Sequence, residues 1–547
     1  MPPHDVSSAT IPPAFKLDDY LLWRIFITIA DSEEGIHRLY PYHSSALHTI
    51  RRGSQVCRYW RDVILNSPSL WASVVNLTHL QQKTDHWRDV VLRRSGTALL
   101  TVTGAVDIAQ SLLFILDTQW KRIRKLDVVV YDFRSLEDER WKALQQPAPC
   151  LESFRLGCAR GTPLFLQDAS SNILFADYAP LLHEFSASQI NFLTLPPWFA
   201  HIRVLHISSC FTMPQLLDSL VDAHFLEWLD VQNGFTPVTG LDRFRELPVV
   251  VLPRLSRIQI RSNVGTCLDF LEQIQPVYGC SLALQTDDPT DAPTVWGPLL
   301  LDKLRRIVSR YSKAYFSTHN IRELSLDIQK GRFRFSGYAD NMPPFNSPEC
   351  HYFNVWINSR TGFTPTIVSL LFNCLASCPF TGITSLIFKM VDILDFDVSD
   401  SDFVSFISSL PNVEVLQTGF KTIALLNGLR CDAAPHSPTE LPPPIVTPCH
   451  AFPLLKTVKI QEIDQIQVNL EDVVTDFFRW RNDSGVRIES LELMIYGYVT
   501  TRTPDLSFLE YLVPGMEVVW RSAGPMMRYV CGEGNPNKLV YSPSSSF

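Results

Sequence analysis

The sequence lacks any long apolar run, since none approaches the roughly 18 consecutive residues that a helix needs to cross a bilayer. Its N-terminus also lacks the basic region and apolar stretch that mark a secretory signal. We therefore expect no membrane partner, no export, and a protein of the cytoplasm or nucleus. Residues 1–16 contain prolines and serines without apolar periodicity, which predicts a disordered tail.

Motifs for catalysis and for metal or cofactor binding are also missing. The chain contains no Gly-x-Ser-x-Gly, no His-Glu-x-x-His and no Gly-x-x-x-x-Gly-Lys. The twelve cysteines are scattered, and the closest pair, Cys374 and Cys378, has no neighbouring histidine or second cysteine pair to complete a zinc site. The sequence thus predicts no metal, no cofactor and no catalysis, and the alternative is an enzyme whose site assembles from distant segments.

Positive charge is scarce, because 48 Lys and Arg face 56 Asp and Glu for a net charge of −8. Nucleic-acid binding requires a concentrated basic surface, so we expect no nucleic-acid partner. The run Arg332-Phe333-Arg334-Phe335 alternates basic and aromatic residues, as an RNA-stacking strand does. Such alternation is typical of any half-buried strand, and that is what we predict here. An apolar content of 46% indicates a chain that builds a core.

Near the N-terminus, apolar residues recur at helical spacing. Leu22, Ile25 and Phe26 share one helical face, and the Asp18 carboxylate can cap the start of that helix. After an aperiodic loop a second helical pattern follows, with a break predicted at Gly53. Ser67-Pro68 ends this pattern, since proline lacks an amide donor and restricts the residue before it.

Ten residues of this region stand in a familiar order: Leu17, Leu21, Leu22, Ile25, Phe26, Val56, Cys57, Trp60, Leu70 and Trp71. The order resembles the F-box-like domain that opens many proteins of mushroom-forming fungi. The resemblance covers residues 17–80 and implies an all-helical module whose ten residues bind an Skp1-like adaptor within a cullin ubiquitin ligase. The chain departs from the family at Asp18, where proline is usual, and at Tyr20, where glutamate is common. The alternative is that these residues are only the core of a helical cap.

Between residues 95 and 515 the phrase apolar-x-x-apolar-x-apolar keeps returning. Its central residues are Leu126, Phe154, Phe185, Leu205, Leu229, Ile258, Leu324, Leu386, Leu416, Val458 and Leu491. The spacing is 24 residues from Leu205 to Leu229 and 29 from Leu229 to Ile258, which is typical of a leucine-rich repeat. We therefore predict an α/β fold in which an irregular leucine-rich-repeat solenoid with a parallel sheet follows the helical module.

Irregularity is expected because only Cys210 and Asn263 occupy the turn position that a regular repeat fills with Asn or Cys. Strand-like runs at 281–284 and 353–357 occupy a long gap between phrases, and loops should project near 285–298, 338–349 and 430–450. Residues 532–547 are predicted to form a disordered tail. A helix-and-sheet protein without repeat order is the alternative.

Together these features predict a substrate-recognition subunit of an Skp1–cullin–F-box ubiquitin ligase. The helices would bind the adaptor, and the repeat surface would bind a target protein whose identity the sequence leaves open. The candidate target contacts are His206 and Asp230, which we expect to be exposed on the concave face beside buried Leu205 and Leu229. The alternative is a leucine-rich interaction scaffold without ligase coupling.

Overall fold

The computed structural model describes residues 17–32, 46–82, 84–132, 137–158, 173–188, 196–208, 211–232, 235, 246–287, 296–339, 352–391, 396–429, 451–461, 470–494, 506–521 and 526–539. The chain divides into two compact units, residues 1–255 with 273–275, and residues 256–272 with 276–547. This division falls within the region 95–515, and the N-terminal helices belong to the first unit. Both units combine helices with mostly parallel strands, so the predicted mixed α/β class is confirmed.

The described helices of the first unit are concentrated at its N-terminus. They are α1 (Asp19–Ser32), α2 (Ala46–Gly53), α3 (Arg58–Leu65), α4 (Pro68–Ser73), α5 (Leu77–Leu80), α6 (His86–Arg94), α7 (Gln110–Gln119) and α8 (Met213–Leu220). The Leu21 amide donates to Asp18 Oδ1 at 2.7 Å, so the predicted cap of α1 is confirmed. The predicted break at Gly53 is also confirmed, and a Cβ there would lie 3.0 Å from Cε1 of Phe26.

Seven strands of the first unit form one parallel sheet in chain order. They are β1 (Val75–Asn76), β2 (Leu100–Val106), β3 (Ile123–Val130), β4 (Ser153–Cys158), β5 (Glu184–Ser188), β6 (Val204–Ser208) and β7 (Trp228–Gln232). Val102, Leu126, Phe154, Phe185, Leu205 and Leu229 are successive register partners. The prediction that Leu205 and Leu229 are buried on parallel neighbouring strands is confirmed. A small separate sheet pairs β8 (Val250–Leu252) with β10 (Ile274–Pro276).

Aromatic side chains from short 3-10 segments cover the apolar side of this sheet. Phe175, from the segment Leu174–Asp177, lies 5.2 Å from Phe154, measured between ring centroids. Trp198, from the segment Pro197–His201, lies 5.0 Å from Phe185, again between ring centroids. The core of the first unit therefore lies between the strand anchors and these connecting segments.

The described residues of the second unit form eleven strands in one sheet, bordered by seven helices. The strands are β9 (Arg257–Ser262), β11 (Ser281–Thr286), β12 (Ile321–Gln329), β13 (Arg332–Ala339), β14 (Tyr352–Asn358), β15 (Ser385–Val391), β16 (Val415–Thr418), β17 (Thr457–Gln461), β18 (Ser490–Met494), β19 (Glu517–Arg521) and β20 (Met527–Val530). The helices are α9 (Val264–Gln273), α10 (Pro298–Thr318), α11 (Pro365–Ala376), α12 (Ser401–Ser408), α13 (Phe420–Asn427), α14 (Leu470–Asp483) and α15 (Leu509–Leu512).

The spatial order in this sheet is β9-β11-β14-β13-β12-β15, followed by β16 to β20 in chain order. Leu324, Leu386, Leu416, Val458 and Leu491 are successive register partners across five parallel strands. The strands predicted at 281–284 and 353–357 are confirmed as parts of β11 and β14.

Two parts of this sheet depart from the parallel arrangement that the sequence predicted, since β20 is antiparallel to β19 and β13 is antiparallel to both of its neighbours. Strand β13 is antiparallel to both β12 and β14, because only Lys330 and Gly331 separate it from β12. A connection of two residues can form a hairpin but cannot return the chain for a parallel pairing. Helix α10, with 21 residues, first carries the chain from β11 past the positions of β14 and β13.

Several other expectations concern the chain ends and loops. The tail 1–16 and most of the loops predicted near 285–298, 338–349 and 430–450 lie outside the described residues. The C-terminal tail was predicted to begin too early, at 532, since Pro536–Leu539 forms a 3-10 helix and Leu539 is buried. This segment is held in place because the Gly534 amide donates to Glu510 Oε1 at 2.6 Å.

Candidate partner-binding surfaces

Four of the ten residues predicted to bind an adaptor lie in the helical module's own core. Leu22, Phe26, Leu70 and Trp71 are almost fully buried, and Trp71 Nε1 donates to the Ile64 carbonyl at 2.9 Å. Side chains enclosed in this way cannot contact a partner, so their predicted role as direct contacts needs correction. They instead hold α1, α3 and α4 together and thereby position the outer residues.

The exposed apolar residues of the module lie mainly on α1. Leu21 and Ile25 are 45% and 44% exposed, and their spacing of four residues places them on adjacent turns of one helical face. Val56, in the turn before α3, is 63% exposed, and Tyr20 also faces solvent. We call these four residues, Tyr20, Leu21, Ile25 and Val56, the module patch. Tyr20 was not among the predicted contacts.

The three remaining predicted residues, Leu17, Cys57 and Trp60, are half-buried. The Trp60 ring packs edge-on against Phe26 with centroids 5.5 Å apart, and the Trp60 amide donates to Cys57 Sγ at 3.4 Å. Cys57 is therefore the N-cap of α3. These contacts give Cys57 and Trp60 a structural role, with part of each side chain still accessible.

Tyr59 joins the start of α1 to α3. Its hydroxyl donates to the Leu17 carbonyl at 3.0 Å, and a hydrogen bond with the Asp19 carboxylate raises the pKa of Tyr59 to about 12. A protonated phenol thus connects the two helices at neutral pH. No pattern of helical spacing indicates this contact, since Tyr59 and Leu17 are far apart in the sequence.

The sheet of the first unit carries polar residues on the face opposite its apolar anchors, and they pair with one another. The Arg155 guanidinium forms a salt bridge with Glu184 on β5 and lies 3.6 Å from Asp127 Oδ2 on β3. The Ser153 hydroxyl donates to Glu184 Oε2 at 2.8 Å. The charged groups on this part of the face are therefore paired within the sheet.

His206 and Asp230 lie on the same face, but the prediction that they are exposed was wrong. Their side chains are only 12% and 6% exposed, and His206 Nδ1 lies 3.0 Å from Asp230 Oδ2. The parallel register places the two residues side by side on β6 and β7. Gln232 Nε2 donates to the same carboxylate oxygen at 2.9 Å, and the Trp228 ring lies 4.5 Å from the imidazole, so neighbouring side chains cover the pair.

The corresponding face of the second unit is more basic and more aromatic. One row of register partners crosses six strands: Arg261, Gln285, Trp356, Arg334, Asp327 and Lys389. We call it the central row. The half-buried strand predicted at 332–335 is confirmed, since Phe333 and Phe335 are buried and Arg334 is exposed on the opposite side. The sequence alone could not reveal the row, because its members are brought together by the β12-β13-β14 pairing.

A surface cavity of about 500 Å³ lies between α11 and α12 in the second unit. Ser369 donates to Asp400 Oδ2 at 2.7 Å and Asn373 donates to Asp402 Oδ1 at 2.8 Å, so polar groups in its lining satisfy each other. Asp400 also caps α12 through the amides of Asp402 and Phe403. These contacts explain the acidic residues of the cavity by the helix-helix junction that they stabilise.

The cysteine pair Cys374 and Cys378 is buried against α10. Burial raises the pKa of Cys374 to about 12 and that of Cys378 to about 11, and the Cys378 thiol donates to Ser312 Oγ at 3.3 Å. Such thiols remain protonated at neutral pH and are poor nucleophiles and metal ligands. Within the described ranges, no group of three His, Cys, Asp or Glu residues is arranged to hold a metal ion.

Comparison with known proteins adds no relative: the chain matches no protein-family model and no curated protein. For the helices that the structure describes, none is both long and apolar enough to cross a membrane.

Proposed function

We propose that this chain is a substrate-recognition subunit of an Skp1–cullin–F-box ubiquitin ligase, similar to the F-box-like proteins of mushroom-forming fungi. Residues 17–80 are the F-box-like module, and residues 95–515 form an irregular leucine-rich-repeat solenoid that binds a target protein. The protein acts in the cytoplasm or nucleus and has no catalytic activity of its own. Its contribution to ubiquitin transfer is to raise the effective concentration of the target beside the ligase.

The observation that carries this proposal is the division of the F-box-like residues between core and surface. Neighbouring residues of the F-box-like set differ in exposure. Leu21 is exposed and Leu22 is buried, and in the same way Ile25 is exposed and Phe26 is buried. Core packing alone accounts for the buried members. It does not account for exposed large apolar residues one helical turn apart, which are typical of a surface that a partner covers.

The spacing and register of the strands support the solenoid part of the proposal. Leu126, Phe154, Phe185, Leu205 and Leu229 come from successive phrases and lie side by side on parallel strands. A leucine-rich repeat builds its core from one such anchor row, to which each unit adds a strand. The antiparallel β13 is the main departure from that repeat.

Co-purification with an Skp1-like adaptor tests the proposal. Leu21→Asp and Ile25→Asp place a charge on the module patch without emptying the core, so we expect folded variants that bind the adaptor at least about thirtyfold more weakly. Leu299→Asp is the matched control, because Leu299 on α10 is 79% exposed and lies outside the module. Circular dichroism must show that all three variants retain the wild-type fold.

Trp60→Ala is a less selective variant, since the half-buried Trp60 ring also supports Phe26. We expect it to reduce both adaptor binding and the stability of the module. Failure of the wild-type chain to retain the adaptor, or undiminished binding by the folded Leu21→Asp and Ile25→Asp double variant, contradicts the ligase proposal. The first of these results favours the scaffold alternative, in which the same strand array binds a partner without ligase coupling.

A further inference from the structure

Arg334 occupies an unusual position on the polar face of the second unit. It is exposed at the centre of the antiparallel insert β12-β13-β14, and its guanidinium carbon lies 5.1 Å from the centroid of the Trp356 ring. Stacking on an aromatic ring holds the planar guanidinium in place while its N–H groups remain able to donate. The side chain is thus partly immobilised before any partner arrives.

The acidic neighbour of Arg334 is already engaged. Asp327 is the register partner of Arg334 on β12, yet its carboxylate accepts from Arg332 at 3.1 Å and from Gln329 at 3.2 Å. Among the described residues no carboxylate forms an ion pair with Arg334. The face therefore presents a positioned cation whose charge is not neutralised by this part of the chain.

Charge on the part of this face that β9 to β15 form is also predominantly positive. The cations on β9, β13 and β15 are Arg257, Arg261, Arg332, Arg334 and Lys389, and the acids are Glu323 and Asp327 with Asp287 at the end of β11. This excess of positive charge lies in a chain whose net charge is −8. Complementarity of charge favours an acidic partner at this face.

The length of the central row indicates the length of the partner segment that could cover it. Six strands at about 4.8 Å spacing span roughly 24 Å, which is the length of about seven residues of extended chain. Arginine and tryptophan are the residue types that most often dominate binding energy at protein interfaces. Arginine also binds carboxylates through two parallel hydrogen bonds, which favours aspartate and glutamate over neutral side chains.

We propose that the central row binds an extended, Asp- and Glu-rich segment of a protein, with Arg334 as its main anion contact and Trp356 as the residue that positions Arg334. This inference rests on the proposed function in one respect, because it assigns the target-binding role of the strand array to this face. It also replaces His206 and Asp230, which are covered, as candidate target contacts.

A peptide selection tests this proposal. Random nine-residue peptides are selected for binding to the purified full-length chain. We expect the selected peptides to be enriched in Asp and Glu and to bind several-fold more weakly when the NaCl concentration rises from 50 to 500 mM, as screening predicts. Arg334→Ala should weaken a selected acidic peptide about tenfold, which corresponds to one lost charge-assisted hydrogen bond. Arg334→Glu should abolish that binding and select basic peptides instead.

Lys313→Glu is the matched control for Arg334→Glu. Lys313 is exposed on α10, and α10 packs through Phe316 on the opposite side of the sheet against Phe335 and Phe353. The two variants change the net charge equally, so only a local effect distinguishes them. Trp356→Phe should keep most of the affinity and Trp356→Ala should lose it, because the ring positions Arg334.

Three results overturn the proposal. One is a set of selected peptides without acidic enrichment, and another is equal binding of an acidic peptide by the wild type, Arg334→Glu and Lys313→Glu. The third is a preference for a different anion. This would be seen if a peptide with phosphoserine in place of glutamate, or a nine-nucleotide oligouridylate, bound more than tenfold more tightly than the acidic peptide and lost this affinity in Arg334→Ala. Adaptor co-purification from the same preparations separates the two proposals, since acidic-peptide binding without adaptor binding supports this inference and contradicts the ligase function.

Discussion

In the first unit, Arg155 contacts two carboxylates of neighbouring strands and His206 contacts the carboxylate of Asp230. In the second unit, Arg334 lies on the polar face of its sheet, in the row of Asp327 and Lys389, and is exposed over Trp356. Both faces are built by the same strand alternation, with apolar anchors on the other side. The difference is that Arg155 pairs with carboxylates within the first face, whereas Arg334 on the second face forms no ion pair with the described residues. Arg155 should therefore matter more for stability and Arg334 more for binding.

The largest effects should come from the cores, where the two units are alike. Phe154→Ala in the first unit and Phe335→Ala in the second should each lower the free energy of unfolding by about 3–5 kcal/mol, because each removes a fully buried ring from an aromatic cluster. Urea unfolding followed by tryptophan fluorescence measures this loss. If either variant lowers the free energy of unfolding by less than 1 kcal/mol, the two cores are not equivalent.

A slightly smaller effect is expected for aliphatic anchors. Leu205→Ala in the first unit and Leu386→Ala in the second should cost about 2–5 kcal/mol each, since both residues are fully buried between parallel neighbouring strands. The same unfolding measurement applies, with Leu205→Met and Leu386→Met as conservative controls. Near-neutral alanine variants would contradict a continuous anchor row.

The first polar face should respond to loss of its central cation. Arg155→Met keeps the apolar stem but leaves the carboxylates of Asp127 and Glu184 without their shared partner, at a cost of roughly 1–3 kcal/mol. Adding Glu184→Gln to Arg155→Met should recover part of this stability, because it removes the negative charge of Glu184, which had formed the closer ion pair with Arg155. No recovery in the double variant would mean that the stem of Arg155, and not its charge, stabilises the face.

The smallest effect on stability should come from the equivalent change in the second unit. Arg334→Met should alter the free energy of unfolding by less than about 0.5 kcal/mol, because the guanidinium is exposed and its removal leaves no carboxylate of the described residues unpaired. A stability loss equal to that of Arg155→Met would remove the contrast between the faces. It would also show that Arg334 has a structural role.

Much of the strand arrangement was predictable because it depends on local alternation. An apolar residue at every second position must lie on the same side of a strand, and this placed Phe154, Leu205 and Leu386 in the core from sequence alone. The antiparallel β13 was not predicted, although the Lys330-Gly331 connection between two strand-like runs was visible. Burial of His206 and Asp230 was missed because it depends on the pairing of β6 with β7, which brings Asp230 and Trp228 beside His206.

The N-terminal module illustrates the same limit. The sequence predicted that Asp18 caps α1 and that Gly53 interrupts the following helices, since both effects act over a few residues. It could not separate Leu21 and Ile25, which are exposed, from Leu22 and Phe26, which are buried. All four have apolar side chains at helical spacing, and only the packing of α2, α3 and α4 against α1 decides which of them remain on the surface.

What the sequence determined by itself is therefore the strands of the repeated apolar pattern, their anchors, and the cap and break of the first helices, because these depend on periodicity and on contacts within one turn. The tertiary structure decided which polar side chains are paired and which are available. Arg155 and Arg334 are both arginines flanked by apolar residues on strands. They differ because residues distant in the chain place two carboxylates beside Arg155 and an indole ring beneath Arg334.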